Sequence, residues 1–197
     1  ITSSSSSSSL SSPILPKSRK ALLESTRVIL LINPDNHTAW NVRRRIIMQD
    51  ESLAGLEYEL KMLALIFTKH PKSGAAWAHR RWALSLLDPF KEWCDASCIY
   101  KHKRFQDELK LCAQNSAMNK NNYYSWTHRI WLLEKISAKI SLLAELKWCH
   151  EWVSMHVSEH TGLHYLHQVF NKIMALHGRR SRMIPAILRR DTPTKNA

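Results

Sequence analysis

Glycine is scarce in this chain, with four residues among 197. Tight β-turns and phosphate-binding loops depend on glycine for backbone conformations that other residues avoid, so a β-rich fold and a glycine-rich nucleotide site are both disfavoured. The sequence also has no run of about 18 apolar residues, and we therefore expect no transmembrane segment. Four cysteines are too few for a disulfide scaffold of this length, so we predict reduced thiols and a cytoplasmic location.

Acidic residues are also in the minority, with 16 Asp and Glu against 29 Lys and Arg. Residues 1–20 and 172–197 account for +9 of the net charge of +13. Basic ends are more often solvated arms than nucleic-acid contacts, so we predict no nucleic-acid partner. We assign residues 1–16, with their serine run, to a disordered leader and residues 178–197 to a basic tail. The folded part is then 17–177.

What the chain does contain is one sequence block repeated four times. Three copies are anchored by a tryptophan, and a degraded fourth copy has Leu163 at that place; the three anchors are Trp40, Trp77 and Trp126. The intervals between successive anchors are 37, 49 and 37 residues, and periods in this range are typical of stacked supersecondary units. The long interval is one period plus twelve residues, which predicts an insertion near 88–104.

Each block predicts the start of a helix. A side chain that accepts hydrogen bonds from free helical N–H groups stands four residues before each tryptophan: Asn36, Ser73 and Asn122. Upstream of the second block, apolar residues recur every three or four positions, as in an amphipathic helix: Leu53, Leu56, Leu60, Leu63 and Phe67. Each repeat is therefore predicted to be a pair of antiparallel helices.

The sequence predicts eight helices and no strand, because no convincing alternation of period two is present. We place the helices near 17–32, 36–49, 52–69, 73–87, 105–116, 122–136, 139–155 and 160–177. The predicted fold class is all-α, a right-handed α-α superhelix that forms a solenoid of about four antiparallel helical hairpins.

Two copies of the block carry a family resemblance. Residues 71–81 read PKSGAAWAHRR and residues 122–129 read NYYSWTHR, so that His-Arg follows each tryptophan by two residues. This combination resembles the protein prenyltransferase α-subunit repeat, over roughly 17–177. The tetratricopeptide repeat also pairs a tryptophan with later small residues, but it does not place His-Arg just after that tryptophan.

The resemblance implies a crescent of hairpins wrapped around a β subunit, a helical barrel that holds zinc, the isoprenoid pocket and most of the peptide site. The implied activity is transfer of a farnesyl or geranylgeranyl group from an isoprenoid diphosphate, the co-substrate, to a C-terminal cysteine of a protein substrate. The chain would act only as a heterodimer with that β subunit, and alone it would be inactive and hold no cofactor. The alternative is a non-catalytic helical-repeat interaction scaffold.

The resemblance also assigns roles to individual residues. Lys72, five residues before its tryptophan, matches the family lysine that stabilises charge on the departing diphosphate. Tyr123 matches the tyrosine of the next block, and Tyr124 replaces the family histidine there. From the residues themselves, we expect the arginines after the anchors to contact a partner or a neighbouring repeat: Arg43, Arg44, Arg80, Arg81 and Arg129.

Two further patterns suggest metal sites and are set aside. Residues 156–160 match the inverted zinc-protease pattern His-x-x-Glu-His, but the repeat register puts a break between helices there, whereas the chemistry requires one continuous helix. Cys94, Cys98 and His102 share a helical face but lack a fourth ligand. We therefore predict no metal site in this chain.

Overall fold

The computed structural model describes residues 16–49, 53–87, 103–135 and 139–188. Within these ranges the chain forms eight α-helices and no strand, so the predicted all-α stack of helical hairpins is confirmed. The helices are α1 (Pro16–Ile32), α2 (His37–Met48), α3 (Leu53–Lys69), α4 (Gly74–Leu86), α5 (Lys103–Met118), α6 (Tyr123–Lys135), α7 (Lys139–Met155) and α8 (His160–Leu188).

The predicted helix bounds agree with the observed ones to within two residues, except at the end of α8. This helix continues to Leu188, past its predicted end at residue 177 and into the predicted basic tail. A single glycine, Gly178, costs a helix only about 1 kcal/mol relative to alanine and does not end it. Apart from Pro16, the predicted leader lies outside the described residues, as does most of the predicted insertion, including Cys94, Cys98 and His102.

The helices pair in chain order, α1 with α2, α3 with α4, α5 with α6 and α7 with α8. Second helices of successive hairpins also pack together, α4 against α6 and α6 against α8. Three of the second helices begin at a capping side chain. Asn36 Oδ1 accepts from Ala39 N at 2.9 Å, Ser73 Oγ from Ala76 N at 3.2 Å, and Asn122 Oδ1 from Ser125 N at 3.3 Å. These local bonds fix where each hairpin turns back.

The three anchor tryptophans lie in the core, each no more than 2% exposed. The first two indole N–H groups donate to the carbonyl six residues earlier, Trp40 to Pro34 at 2.7 Å and Trp77 to Pro71 at 2.8 Å. The Trp40 ring also stacks on His79 of the next hairpin, with centroids 4.2 Å apart. Trp40 and Trp77 therefore tie their own loops to the buried core.

Candidate functional site

The four loops inside the hairpins form a continuous row, here called the loop edge, made of residues 33–36, 70–73, 119–122 and 156–159. A hydrogen bond links each loop to the next. Ser73 Oγ lies 2.7 Å from Asp35 Oδ1, Asn122 Nδ2 lies 2.9 Å from the Pro71 carbonyl, and Asn121 N lies 2.7 Å from Glu159 Oε2. Hydrogen bonds between neighbouring loops therefore hold the backbone that carries the loop-edge side chains.

Lys72 is exposed on the loop edge, and its Nζ donates to the Lys120 carbonyl in the next loop at 3.0 Å. By register, this carbonyl is the one that the Trp126 indole would use, because the two earlier anchors donate to the residue six positions before them. The Trp126 N–H donates instead to Glu159 Oε1 at 3.2 Å. In the third repeat the Lys120 carbonyl is therefore free to accept from Lys72. This bond holds the Lys72 ammonium between two loops.

Two tyrosines begin α6, three and four residues after the Lys120 carbonyl that Lys72 uses. Tyr123 is 62% exposed and Tyr124 38%, and their rings meet edge to face with centroids 5.7 Å apart. A Cβ added to Gly74 would come within 2.7 Å of a Tyr124 ring carbon, so glycine at that position makes room for the ring. Gly74 follows Lys72 by two residues, so the Tyr124 ring lies against the segment that carries the Lys72 ammonium. The phenol and the ammonium are both hydrogen-bond donors suited to an anion.

The arginines named from the sequence lie on the helices rather than at the loop edge. Arg129 Nε donates to Glu145 Oε1 at 2.7 Å, an inter-hairpin contact. Arg44 also reaches the next hairpin, where its Nε donates to His79 Nδ1 at 3.3 Å. The Nη1 atom of Arg81 is buried and has no hydrogen-bond partner, and the same holds for Nδ1 of His128, the histidine equivalent to His79.

Three buried ion triads, which sequence reasoning missed, join the hairpins. In each, a glutamate on the first helix of a hairpin bonds an arginine of the preceding hairpin and a side chain on its own second helix; the triads are Arg43–Glu59–His79, Arg80–Glu108–His128 and Arg129–Glu145–Tyr165. Each arginine also donates to a backbone carbonyl twenty positions earlier, at 2.7–3.0 Å. Successive glutamates of the triads are 49 and 37 residues apart, and the last two intervals between anchors have the same lengths. This shared spacing is the signal in the sequence that could have identified them.

The register also shows which arginines are equivalent. Arg43, Arg80 and Arg129 each follow their anchor by three residues, whereas Arg44 and Arg81 follow by four. The set predicted from the sequence therefore mixes two registers, and Arg43 and Arg80 are the counterparts of Arg129.

Burial and pairing together determine the charges within the triads. Burial alone would raise the pKa of Glu108, but the Arg80 guanidinium and a hydrogen bond from His128 lower it to about 2. Burial lowers the pKa of His79 and His128, and their bonds to the glutamates offset this only in part. Near neutral pH each histidine therefore donates a neutral Nε2–H to a carboxylate. Each buried carboxylate is therefore paired with a guanidinium group of the preceding hairpin.

The residues of the His-x-x-Glu-His pattern, 156–160, lie in the fourth loop of the loop edge and at the start of α8. The His156 ring stacks on Trp152, with ring centroids 3.9 Å apart. The Glu159 carboxylate accepts hydrogen bonds from Asn121 N in the third loop and from the Trp126 indole. In the described ranges, no three His, Cys, Asp or Glu side chains come together as a metal-binding group.

Burial raises the pKa of Cys112 and of Cys149 to about 12, so both stay protonated thiols. Among the described residues, none of the helices has the length and apolarity that a membrane span requires.

The matches to a known protein family have the same boundaries as the hairpins, to within a few residues. The family model described as protein prenyltransferase alpha subunit repeat matches residues 20–50, 56–87 and 105–136. These three segments coincide with the hairpins α1–α2, α3–α4 and α5–α6. Each match thus corresponds to one structural repeat.

The curated relatives are longer proteins. The chain is 38% identical over 161 residues to protein prenyltransferase alpha subunit repeat-containing protein 1 of Homo sapiens, covering 75% of this chain and 39% of that protein. The Danio rerio protein of the same name is 36% identical over 159 residues, 75% of this chain and 37% of that protein. Geranylgeranyl transferase type-2 subunit alpha of Rattus norvegicus is 29% identical over 153 residues, 74% of this chain and 24% of that subunit. The chain therefore belongs to the protein prenyltransferase alpha subunit repeat family.

Proposed function

We propose that this chain is an α-type subunit of a heterodimeric protein prenyltransferase, which helps transfer a farnesyl or geranylgeranyl group to a C-terminal cysteine of a protein substrate. The observation that carries the proposal is the position of Lys72, exposed on the loop edge and held by the Lys120 carbonyl, three residues before the Tyr123–Tyr124 pair. Family membership and the relation to a geranylgeranyl transferase α subunit support it.

The proposed chemistry uses this surface to stabilise a leaving group. As the substrate thiolate attacks the isoprenoid carbon, the carbon–oxygen bond breaks and negative charge collects on the departing diphosphate. An ammonium has three N–H donors, and the Lys72 bond to the Lys120 carbonyl uses one of them. The other two are available to diphosphate oxygens, where a fixed donor lowers the barrier more than it strengthens substrate binding. The phenol of Tyr124 adds a neutral donor at the place where the family pattern has histidine.

The remaining chemistry is assigned to the partner. The described part of this chain offers no metal-binding group, so in the proposal the zinc that activates the thiolate and the isoprenoid pocket belong to the β subunit. The isolated chain is then inactive, and activity requires the heterodimer.

The test is reconstitution. The chain is co-expressed with candidate prenyltransferase β subunits, and the purified complex is assayed with labelled isoprenoid diphosphate and a protein ending in a cysteine motif. Lys72→Ala is expected to leave assembly intact and lower kcat by roughly 10- to 1,000-fold, with a smaller change in diphosphate affinity. Lys120→Ala is the matched control, since it removes an exposed ammonium but keeps the carbonyl that Lys72 uses. Unchanged turnover of the Lys72 variant in a confirmed heterodimer would contradict the assignment.

A second candidate function is a non-catalytic interaction scaffold. It is favoured by the names of the relatives at 36–38% identity, which describe their repeats and no reaction, and by Tyr124 in place of the family histidine. A scaffold would form the complex with a partner and show no isoprenoid transfer with any diphosphate tested. The same reconstitution therefore separates the two functions.

A further inference from the structure

The fourth loop has an acid where the earlier loops have a neutral capping side chain. The position lies four residues before each anchor, and its occupants are Asn36, Ser73, Asn122 and Glu159. Amide and hydroxyl side chains donate as well as accept, whereas a carboxylate only accepts. Glu159 is 3% exposed, and its three donors are neutral: the Asn121 N–H, the Trp126 indole and the Thr161 hydroxyl. The fourth loop therefore buries a carboxylate among neutral donors.

In the second loop, the anchor and the next cap share one carbonyl oxygen. The Trp77 indole donates to the Pro71 oxygen at 2.8 Å, and Asn122 Nδ2 donates to the same oxygen at 2.9 Å. In the first loop, the Pro34 oxygen accepts from its anchor indole at 2.7 Å and lies 3.4 Å from the next cap, Ser73 Oγ. A carbonyl oxygen has two lone pairs, so two donors occupy it. This arrangement leaves no acceptor there for a lysine.

The acid in the fourth loop releases the equivalent oxygen of the third loop, that of Lys120. Glu159 cannot donate to this oxygen, and its own Oε1 takes the Trp126 indole at 3.2 Å. The Lys120 oxygen accepts from Lys72 Nζ instead, at 3.0 Å. Glu159 Oε2 binds the other side of the same peptide group, the Asn121 N–H, at 2.7 Å. One peptide group therefore lies between an ammonium and a carboxylate.

This peptide group precedes a residue in the left-handed conformation. Asn121 has a φ of 54°, a region that asparagine tolerates better than most residues. A carboxylate on the N–H polarises the amide and increases the negative charge on its oxygen, so the bonds to Glu159 and Lys72 strengthen each other. The carboxylate thus acts on the ammonium through the backbone.

We propose that Glu159 is a positioning residue, which fixes the Lys72 ammonium at the loop edge through the 120–121 peptide group. The catalytic consequence rests on the proposed prenyl transfer, in which Lys72 stabilises the departing diphosphate. The decisive substitution is Glu159→Asn, because asparagine is the cap of the third repeat. Its amide would donate to the Lys120 oxygen, and the Trp126 indole would return to that oxygen. Together they would displace Lys72.

The first measurement is nuclear magnetic resonance of the full 197-residue chain, labelled with nitrogen and carbon isotopes. The wild type should show a nitrogen–carbon coupling across the hydrogen bond between Lys72 Nζ and the Lys120 carbonyl, and Lys72→Arg assigns this signal by removing it. Glu159→Asn should abolish the coupling. Glu159→Gln keeps the length but removes the charge, so the ammonium hydrogens should exchange with water roughly threefold faster or more.

Thr161→Val is the matched control for both measurements. It removes a hydroxyl that donates to Glu159 Oε1, while the bond from Asn121 N to Oε2 stays. The coupling, the exchange rate and the turnover should all match the wild type. Circular dichroism checks that each variant is folded.

The second measurement is isoprenoid transfer by the reconstituted heterodimer. Glu159→Asn is expected to lower kcat roughly tenfold, with little change in KM for the isoprenoid diphosphate. In the Lys72→Ala background the same substitution should cost nothing further, because its effect passes through the ammonium. A residue that only stabilises the fold would lower kcat by the same factor in both backgrounds.

Three results would overturn the inference. They are no coupling between Lys72 and Lys120 in the wild type, a coupling retained in Glu159→Asn, and an equal loss of kcat on Glu159→Asn with and without Lys72. If Glu159→Asn does not fold, an unchanged exchange rate in Glu159→Gln is the refuting result. Absence of transfer with every β subunit tested would contradict the proposed function instead, and the coupling measured on the chain alone would still decide whether Glu159 positions Lys72.

Discussion

Arg80 lies buried between the second and third hairpins, where its guanidinium makes three hydrogen bonds. Nε donates to Glu108 Oε2 at 2.8 Å, Nη2 to Glu108 Oε1 at 2.5 Å and Nη1 to the Leu60 carbonyl at 3.0 Å. Arg80→Met keeps most of the packing volume but removes all three bonds. It leaves the Glu108 carboxylate buried with His128 as its remaining donor. Breaking a buried ion pair from one side costs about 3–5 kcal/mol, a large part of the roughly 5–15 kcal/mol that stabilises a domain.

The measurement is urea unfolding followed by circular dichroism at pH 7, together with a thermal melt. At about 2–4 °C per kcal/mol for a chain of this size, the melting temperature should fall by roughly 6–20 °C. The double variant Arg80→Met/Glu108→Leu removes both charges and should recover at least about 2 kcal/mol relative to the single variant, because no unpaired carboxylate remains.

Arg81→Met is the matched control, because it removes the neighbouring half-buried arginine, whose Nη1 has no hydrogen-bond partner. It should cost no more than about 1 kcal/mol. If Arg80→Met and Arg81→Met lower stability equally, or if Arg80→Met costs under about 1 kcal/mol, the triads are not what holds the hairpins together.

Three further predictions follow from burial. The pKa of Glu108 falls from 4.5 to about 2 on folding, so its contribution of about 3 kcal/mol to the free energy of unfolding is present above pH 4.5 and is lost as the pH falls towards 2. Urea unfolding between pH 7 and 3 should show this loss, and Glu108→Gln should make the free energy of unfolding less dependent on pH. Trp77→Ala should cost about 3–5 kcal/mol, whereas Trp93→Ala, in the predicted insertion, should cost under about 1 kcal/mol, and equal losses would show that the repeat register is misread. Cys112 and Cys149, with pKa values raised to about 12 by burial, should not react with a disulfide reagent at pH 8 until urea unfolds the chain.

The sequence was sufficient to predict the hairpins because their signals are local. Capping side chains, the three- to four-residue apolar spacing and the anchor interval act within about one repeat, so seven of the eight helices end within two residues of their predicted bounds. The predicted end of α8 was wrong, because the helix continues past Gly178 to Leu188.

The candidate site was predictable only in part. A resemblance identified Lys72, Tyr123 and Tyr124, but the sequence did not indicate that Lys72 binds the Lys120 carbonyl or that the Tyr124 ring lies over Gly74. Both contacts join residues about fifty positions apart, and they depend on how one loop is placed against the next. The third repeat's use of Glu159 for its anchor indole also depends on that placement.

The sequence by itself therefore determined the elements of the described residues: all-helical hairpins, their capped starts and the buried anchors. Only the tertiary structure decided which side chains meet. The hairpins pack so that Arg43 and Arg80, rather than Arg44 and Arg81, reach the glutamates. The physical reason is that a helix is stabilised by neighbours three or four residues away, whereas an ion triad depends on the angle and distance between hairpins that are remote in sequence.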